Sequence, residues 1–198
     1  LYRVDAATLH QLESAGALSR GVVSDKIDFT STTLDTAGTP PAIPAAFQAG
    51  PNNGPSLQIV QYIGPIAREW ITALQNTGTR IVQFMPENAY IVQATQSQLD
   101  AIAHLVQGGT SVQYVGPYQP YFKLATTLAN RVQQGLSPGA RLDVTVQVVS
   151  WSGNAATKAA IEELGNLSNA TWESLAGVEA VRLNVAETDL GSLAQFPD

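Results

Sequence analysis

Two stretches of this chain repeat one arrangement of apolar and polar positions. Ala89-Tyr90-Ile91-Val92-Gln93-Ala94 leads into Thr95-Gln96-Ser97-Gln98-Leu99-Asp100-Ala101-Ile102-Ala103. Roughly ninety residues later, Ala180-Val181-Arg182-Leu183-Asn184-Val185 leads into Ala186-Glu187-Thr188-Asp189-Leu190-Gly191-Ser192-Leu193-Ala194. Each reads as a half-buried strand, a polar helix start, and a helix with leucines and alanines at helical spacing. The first copy continues into a further strand over residues 111–118, whereas the second stops at Asp198. The expectation is a chain that is one piece of a longer gene product.

Around the first copy the pattern extends on both sides. Residues 57–63 form an apolar strand broken by Gly64-Pro65, and Pro65 suits the first turn of a helix. Ile66, Trp70, Ala73, Leu74 and Thr77 carry that helix to Gly78, a C-cap. Residues 80–85 predict a strand, Pro86-Glu87-Asn88 a turn, and residues 89–94 the next strand. Thr95 with Gln98 makes a capping box. Leu99, Ile102, Ala103 and Val106 line the second helix, Gly108-Gly109 ends it, and residues 112–115 form the fourth strand. The order βαββαβ is a ferredoxin-like unit, with both helices on one face of an antiparallel sheet. Its other face is left for water or a partner.

Residues 142–149 alternate Val144, Val146 and Val148 against Asp143, Thr145 and Gln147, the period of a strand with one wet face. Asn154 predicts an N-cap, and Ala156, Ala160, Ile161 and Leu164 a helical stripe closed by Gly165. Residues 170–176 and 179–185 predict two more strands, and residues 188–195 a short helix. This order, βαββα, lacks a fourth strand, which leaves an unpaired edge. The fold class expected is α+β: tandem ferredoxin-like units with antiparallel sheets, the second without its last strand. The boundaries are an irregular N-terminal segment with a Pro/Gly-rich connector (1–56), a first unit (57–124), a linker (125–140) and a truncated second unit (141–198). Within the first segment, residues 6–17 predict a short helix closed by Gly16 and Gly21.

Charge and composition narrow the chemistry. Ten Lys and Arg against sixteen Asp and Glu give a net charge of -6 without a basic cluster, which argues against a nucleic-acid face. Cysteine is absent, excluding disulfides and thiolate chemistry. No apolar run approaches the roughly 20 residues of a membrane span. Leu1 in place of Met implies a processed or trimmed N-terminus, which fits a removed signal peptide. Low lysine with abundant Ser, Thr, Gln and Asn is the composition of many secreted bacterial proteins.

Catalytic constellations are missing from the sequence. Only His10 and His104 could act as a base, and neither has a neighbouring motif, so both read as surface or boundary histidines. Ser150-Trp151-Ser152-Gly153 lacks the first glycine of a nucleophile elbow. No His-x-x-x-His or calcium loop occurs, and Glu162-Glu163 read as a solvated helix face. Tyr114, Tyr118, Tyr121 and Phe122 lack basic neighbours and read as packing or protein-contact residues. Asn166-Leu167-Ser168 and Asn169-Ala170-Thr171 match the glycosylation triplet. The chain is expected to be non-catalytic and to need no cofactor or metal.

Ile59-Val60-Gln61-Tyr62-Ile63-Gly64-Pro65-Ile66, with Trp70 beyond it, resembles a segment upstream of the catalytic domain in secreted bacterial subtilisin-like serine proteases. Three further pieces are similar: Leu34-Asp35-Thr36 with Pro41-Ala42-Ile43-Pro44, then Met85-Pro86-Glu87-Asn88-Ala89-Tyr90-Ile91-Val92, then Val115-Gly116-Pro117-Tyr118-Gln119-Pro120-Tyr121-Phe122-Lys123-Leu124. The resemblance covers residues 33–124 well and residues 141–198 loosely. It implies a propeptide, ferredoxin-like in fold, that templates folding of the protease and then inhibits it as part of a zymogen. It further implies a secreted, extracellular or periplasmic location. The partner is the cognate catalytic domain, in cis or trans, with neither nucleic acid nor membrane involved. In such propeptides the open sheet face packs on two protease helices and acidic side chains cap the helix N-termini. Glu173 and Glu179, at the ends of central strands in the second unit, are the residues to which this resemblance assigns that contact. A stand-alone extracellular binding or adhesion module on the same fold is the alternative.

Overall fold

A computed structural model describes residues 5–16, 25–50, 54–107, 111–175 and 177–197. The chain divides into two compact units, the first made of Leu1–Asp28, Thr33–Pro40 and Gln58–Gly116 and the second of Phe29–Thr32, Pro41–Leu57 and Pro117–Asp198. Neither matches a simple cut of the sequence, because the N-terminal segment expected to be irregular contributes to both.

The first unit opens with α1 (Ala6–Ser14), which Asp5 caps by accepting a hydrogen bond from the Thr8 backbone N–H at 2.8 Å. Gly16, at φ +85°, marks its end, while Gly21 lies outside the described residues. Strands β1 (Lys26–Asp28) and β2 (Thr33–Asp35) pair antiparallel and bury Ile27 opposite Leu34. The main sheet then forms from β3 (Ser56–Tyr62), β4 (Arg80–Met85), β5 (Ala89–Ala94) and β6 (Val112–Pro117), in the order β4-β5-β3-β6. Tyr62 at the end of β3 donates to Asn88 before β5, and Ile63 donates to Ser111 before β6, so β3 runs antiparallel to both neighbours. With α2 (Arg68–Asn76) and α3 (Gln96–Gln107) this is the expected βαββαβ unit.

Val60, Tyr62, Leu74, Val92, Ile102 and Val112 form the core between sheet and helices. Pro65 does not begin α2. The extended Ala67 is its N-cap, and residues 63–67 instead turn the chain so that Ile66 packs against the core. The capping box forms as expected: Thr95 N–H donates to Gln98 Oε1 at 2.9 Å, and Gln98 Nε2 reaches the Gly78 carbonyl at 2.7 Å. Gly108 and Gly109, the expected end of α3, lie outside the described residues.

The sheet face opposite the helices departs from expectation. Along β3 both Ile59 and Gln61 have no exposed surface. Gln61 Oε1 accepts from Thr36 Oγ1 at 2.7 Å and from Gln113 Nε2 at 2.8 Å, while its Nε2 donates to the Glu87 carbonyl at 3.0 Å. Thr36 directly follows β2, so the N-terminal hairpin supplies the cover at this point. The same glutamine holds the β4–β5 turn, where Glu87 and Asn88 both take left-handed backbones at φ 63° and 58°.

In the second unit the presumed linker is structured. α4 (Thr126–Gln134) buries Ala129 and Val132 three residues apart. Two 3-10 turns, Ala45–Phe47 and Pro120–Lys123, contribute Phe47, Tyr121 and Phe122 to the interior. Phe29 stacks on Phe122 at 4.4 Å, and Phe47 meets Tyr121 edge-on at 6.3 Å. Tyr118 also packs on Phe29, and burial pushes its phenol up to about 12. Three of the four aromatics singled out in the sequence are therefore packing residues of this unit.

Strands β7 (Arg141–Val149), β8 (Glu173–Leu175) and β9 (Val178–Ala186) build an antiparallel sheet in the order β7-β9-β8, with α5 (Ala155–Leu164) between β7 and β8 and α6 (Leu190–Ala194) after β9. β7 and β9 pair residue for residue from Arg141↔Ala186 to Val149↔Val178. Val144, Val148, Val181, Leu183 and Val185 are buried on one face with Ile161 of α5 and Leu190 of α6. Gly165 sits so close to Leu183 that an added Cβ would lie 3.2 Å from the Leu183 Cβ. Asn154 takes the N-cap position of α5 without capping it; its amide donates instead to the Val149 carbonyl at 2.9 Å. Lys123 Nζ donates to the Ala194 carbonyl at 3.0 Å and the Phe196 carbonyl at 2.5 Å, tying down the end of α6.

Glu187, inaccessible at the end of β9, accepts from Arg131 of α4 through Nε at 2.7 Å and through Nη2, and from the Ser137 N–H at 2.8 Å. The Arg131 hydrogen bonds, followed by the Ser137 N–H, hold its carboxyl below the usual range. Because the folded pKa is depressed, this stabilisation is complete above the unfolded-state pKa and disappears as pH falls through the folded value. Glu187→Gln should lower the melting temperature at pH 7 by about 5 °C and flatten the acid-induced loss of stability, measured by thermal unfolding between pH 7 and pH 3.

Candidate docking face of the second unit

Pairing of β7 with β9 sorts their side chains by parity. Odd positions of β7 and even positions of β9 point away from α5 and α6, giving an outer face of Arg141, Asp143, Thr145 and Gln147 beside Ala180, Arg182 and Asn184. β8 adds Glu173, which lies opposite Ala180 in the register. Apart from Ala180 these side chains are exposed, so the second unit keeps an open, polar sheet face.

At one end of this face the polar groups satisfy each other. Arg141 donates from Nε to Asn184 Oδ1 and from Nη2 to the Asn184 carbonyl, both at 2.5 Å, and Asn184 Nδ2 donates to Asp143 Oδ1 at 2.7 Å. At the other end lies a groove of about 450 Å³, lined by Thr145, Gln147, Asn169, Glu173 and Arg182 among others. Arg182 stands diagonally from Glu173, roughly 7–8 Å away for that register. Neither side chain makes a hydrogen bond or ion pair with any described residue. Two opposite charges are thus held apart and available to a third group.

The loop joining α5 to β8 forms the groove wall. Asn166 and Asn169, the asparagines of both glycosylation triplets, are exposed with left-handed backbones at φ 51° and 66°. Trp172 anchors the end of this loop, donating from Nε1 to Glu162 Oε1 at 2.6 Å while Lys158 Nζ sits 4.8 Å from its ring centroid. Glu162 is therefore a partner of the indole rather than a purely solvated acid.

Glu179 lies on the opposite, helix-facing side of β9. Its carboxylate accepts from Lys158 Nζ at 2.8 Å and Asn154 Nδ2 at 2.9 Å. The Lys158 hydrogen bond first, and that of Asn154 second, lower its pKa. Of the two acids assigned from the resemblance, one is free on the outer face and the other is engaged inside its own unit. Register separates them: Glu173 aligns with Ala180, Glu179 with Ser174. Arg182 was missed in the sequence, although its place between Val181 and Leu183 already put it on the wet side of the strand.

His10 and His104 are both exposed and do not line the groove. Ser150-Trp151-Ser152-Gly153 follows β7 in a tight turn where the Trp151 ring covers Gly153, and a Cβ there would fall 2.0 Å from the ring. Among the described residues no cluster of three His, Asp or Glu could hold a metal ion, and no helix is long and apolar enough to cross a membrane.

A family described as a domain of unknown function (DUF8729) matches residues 23–119. That span takes in the β1–β2 hairpin together with β3 to β6, and ends before β7. The recurring sequence unit thus includes the hairpin whose Thr36 covers Gln61. No curated protein and no solved structure matches the chain.

The two faces of β9 should respond differently to mutation. Glu173→Ala and Arg182→Ala should each change unfolding free energy by less than about 0.5 kcal/mol. Glu179→Ala should lower the melting temperature by about 3 °C at neutral pH. Its effect should shrink as pH falls through the depressed Glu179 pKa, because the wild-type carboxylate is then protonated and loses its charge-assisted bond to Lys158.

Proposed function

We propose that this chain is the non-catalytic propeptide part of a secreted subtilisin-like serine protease, acting as folding template and inhibitor for a catalytic domain that follows it. The observation that carries this reading is the open outer face of the second unit, with Glu173 and Arg182 both unpartnered beside a groove. The resemblance of residues 33–124 to the upstream segments of such proteases supports it from the sequence side.

In this reading the second unit makes the contact. A flat, exposed sheet face with free charges suits rigid helices of a partner, and a carboxylate is favourable at a helix N-terminus. Glu173 takes that role, while Glu179 holds Lys158 and Asn154 and keeps the loop wall in place. In the first unit, Ile59 and Gln61 on the equivalent face are already covered, so that unit serves the assembly without offering the same surface. No cofactor enters the role, and the protease supplies all of the bond-breaking chemistry.

The test is inhibition of the cognate catalytic domain by this chain. A submicromolar inhibition constant is expected, raised about tenfold by Glu173→Lys, equivalent to ~1.4 kcal/mol. Unchanged protease activity at a large molar excess of folded chain overturns the proposal. Tight binding without inhibition would instead identify an extracellular binding or adhesion module.

A further inference from the structure

The second unit holds five cationic side chains: Lys123, Arg131, Arg141, Lys158 and Arg182. Four of them have an acceptor of their own. Lys123 is held by the Ala194 and Phe196 carbonyls, Arg131 by Glu187, Arg141 by Asn184 and Lys158 by Glu179. The Arg182 side chain makes no hydrogen bond or ion pair with any described residue. It is the exception in a unit that otherwise matches its positive charges.

The place of Arg182 on the sheet gives that exception weight. β9 is the central strand of the order β7-β9-β8, so Arg182 stands in the middle of the outer face rather than at its margin. Thr145 of β7 lies directly opposite it. The neighbouring outward residue of β9 is the buried Ala180, which shares a cross-strand row with Gln147 of β7 and Glu173 of β8. A methyl group between two longer side chains leaves a hollow, and the loop over residues 167–171 walls it. This is the groove of about 450 Å³ that Arg182 lines.

A rigid partner seated on this face covers its centre and takes the guanidinium out of water. A cation desolvated without an acceptor is strongly unfavourable. Glu173 is diagonal to Arg182, but in the docking proposed above its carboxylate is engaged at a helix N-terminus. The acceptor then has to come from the partner. A planar guanidinium offers parallel N–H donors, the match for a carboxylate.

We infer that Arg182 takes an aspartate or glutamate side chain of the docked catalytic domain, so that the second unit recognises a partner with an acidic group seated over the groove. This rests on the docking reading and adds its specificity. A catalytic domain with an apolar or basic side chain at that point is rejected by the unmatched charge.

The test titrates the cognate catalytic domain with the full chain and its variants. Arg182→Ala should raise the inhibition constant about tenfold and Arg182→Glu about a hundredfold, with unchanged melting temperatures. Arg182→Glu should regain inhibition against one catalytic-domain variant in which a surface Asp or Glu, outside the catalytic residues, is replaced by Arg. An Arg182→Glu constant within about twofold of wild type overturns the inference and leaves the docking reading standing. So does a loss that no acidic position of the catalytic domain restores, since Glu173 then neutralises Arg182 within this chain. Absence of inhibition by the wild-type chain overturns the docking reading and this inference together.

Discussion

The unbroken pairing of β7 with β9 is the constraint on which the second unit depends. Side chains on a strand alternate between faces, so one fixed register decides at once which of the nine residues of each strand face the helices and which face outward. A slip of one position would send Val144 and Val148 outward and bring Asp143 and Gln147 into the core. The placement of Glu173 on the outer face and Glu179 on the inner follows from the same register through β8. The open face, the groove and the engaged acid are thus consequences of one alignment.

The two sheets share a topology but handle their second faces in different ways. In the first, a glutamine with no exposed surface is satisfied on three sides, by a hydroxyl, an amide and a backbone carbonyl. Burying such a group unpaired would be costly, so the cover over Gln61 is specific to the position of Thr36 after β2. The second leaves its outer face exposed, with Arg141, Asn184 and Asp143 bonded to one another at one end. A family match that includes the hairpin and ends before β7 agrees with the first unit being sequence-defined together with its cover.

Much of this was legible in the residue pattern, and the exceptions have physical reasons. β7 declared itself through alternation, and Thr95 with Gln98 through cap chemistry, since both signals are local. α4 was hidden because its buried stripe consists of only Ala129 and Val132, set among polar residues and followed by Ser137-Pro138-Gly139. Covering of Gln61 was hidden because glutamine reads as wet, and its partners lie 25 to 52 positions away. Asn154 was placed correctly and its job misread, for an asparagine before a helix can donate as readily as accept. Glu173 and Glu179 looked equivalent as strand-end acids; only the pairing of β8 separated them.

Lys123 grips the carbonyls of Ala194 and Phe196 from a turn whose Tyr121 and Phe122 are anchored in the interior. A pull on the carboxyl end is therefore met first by two ammonium–carbonyl bonds and, through them, by an aromatic core. The five-residue α6 carries little of that load by itself. The backbone at Ala194 and Phe196 is thus held by a lysine more than seventy positions upstream.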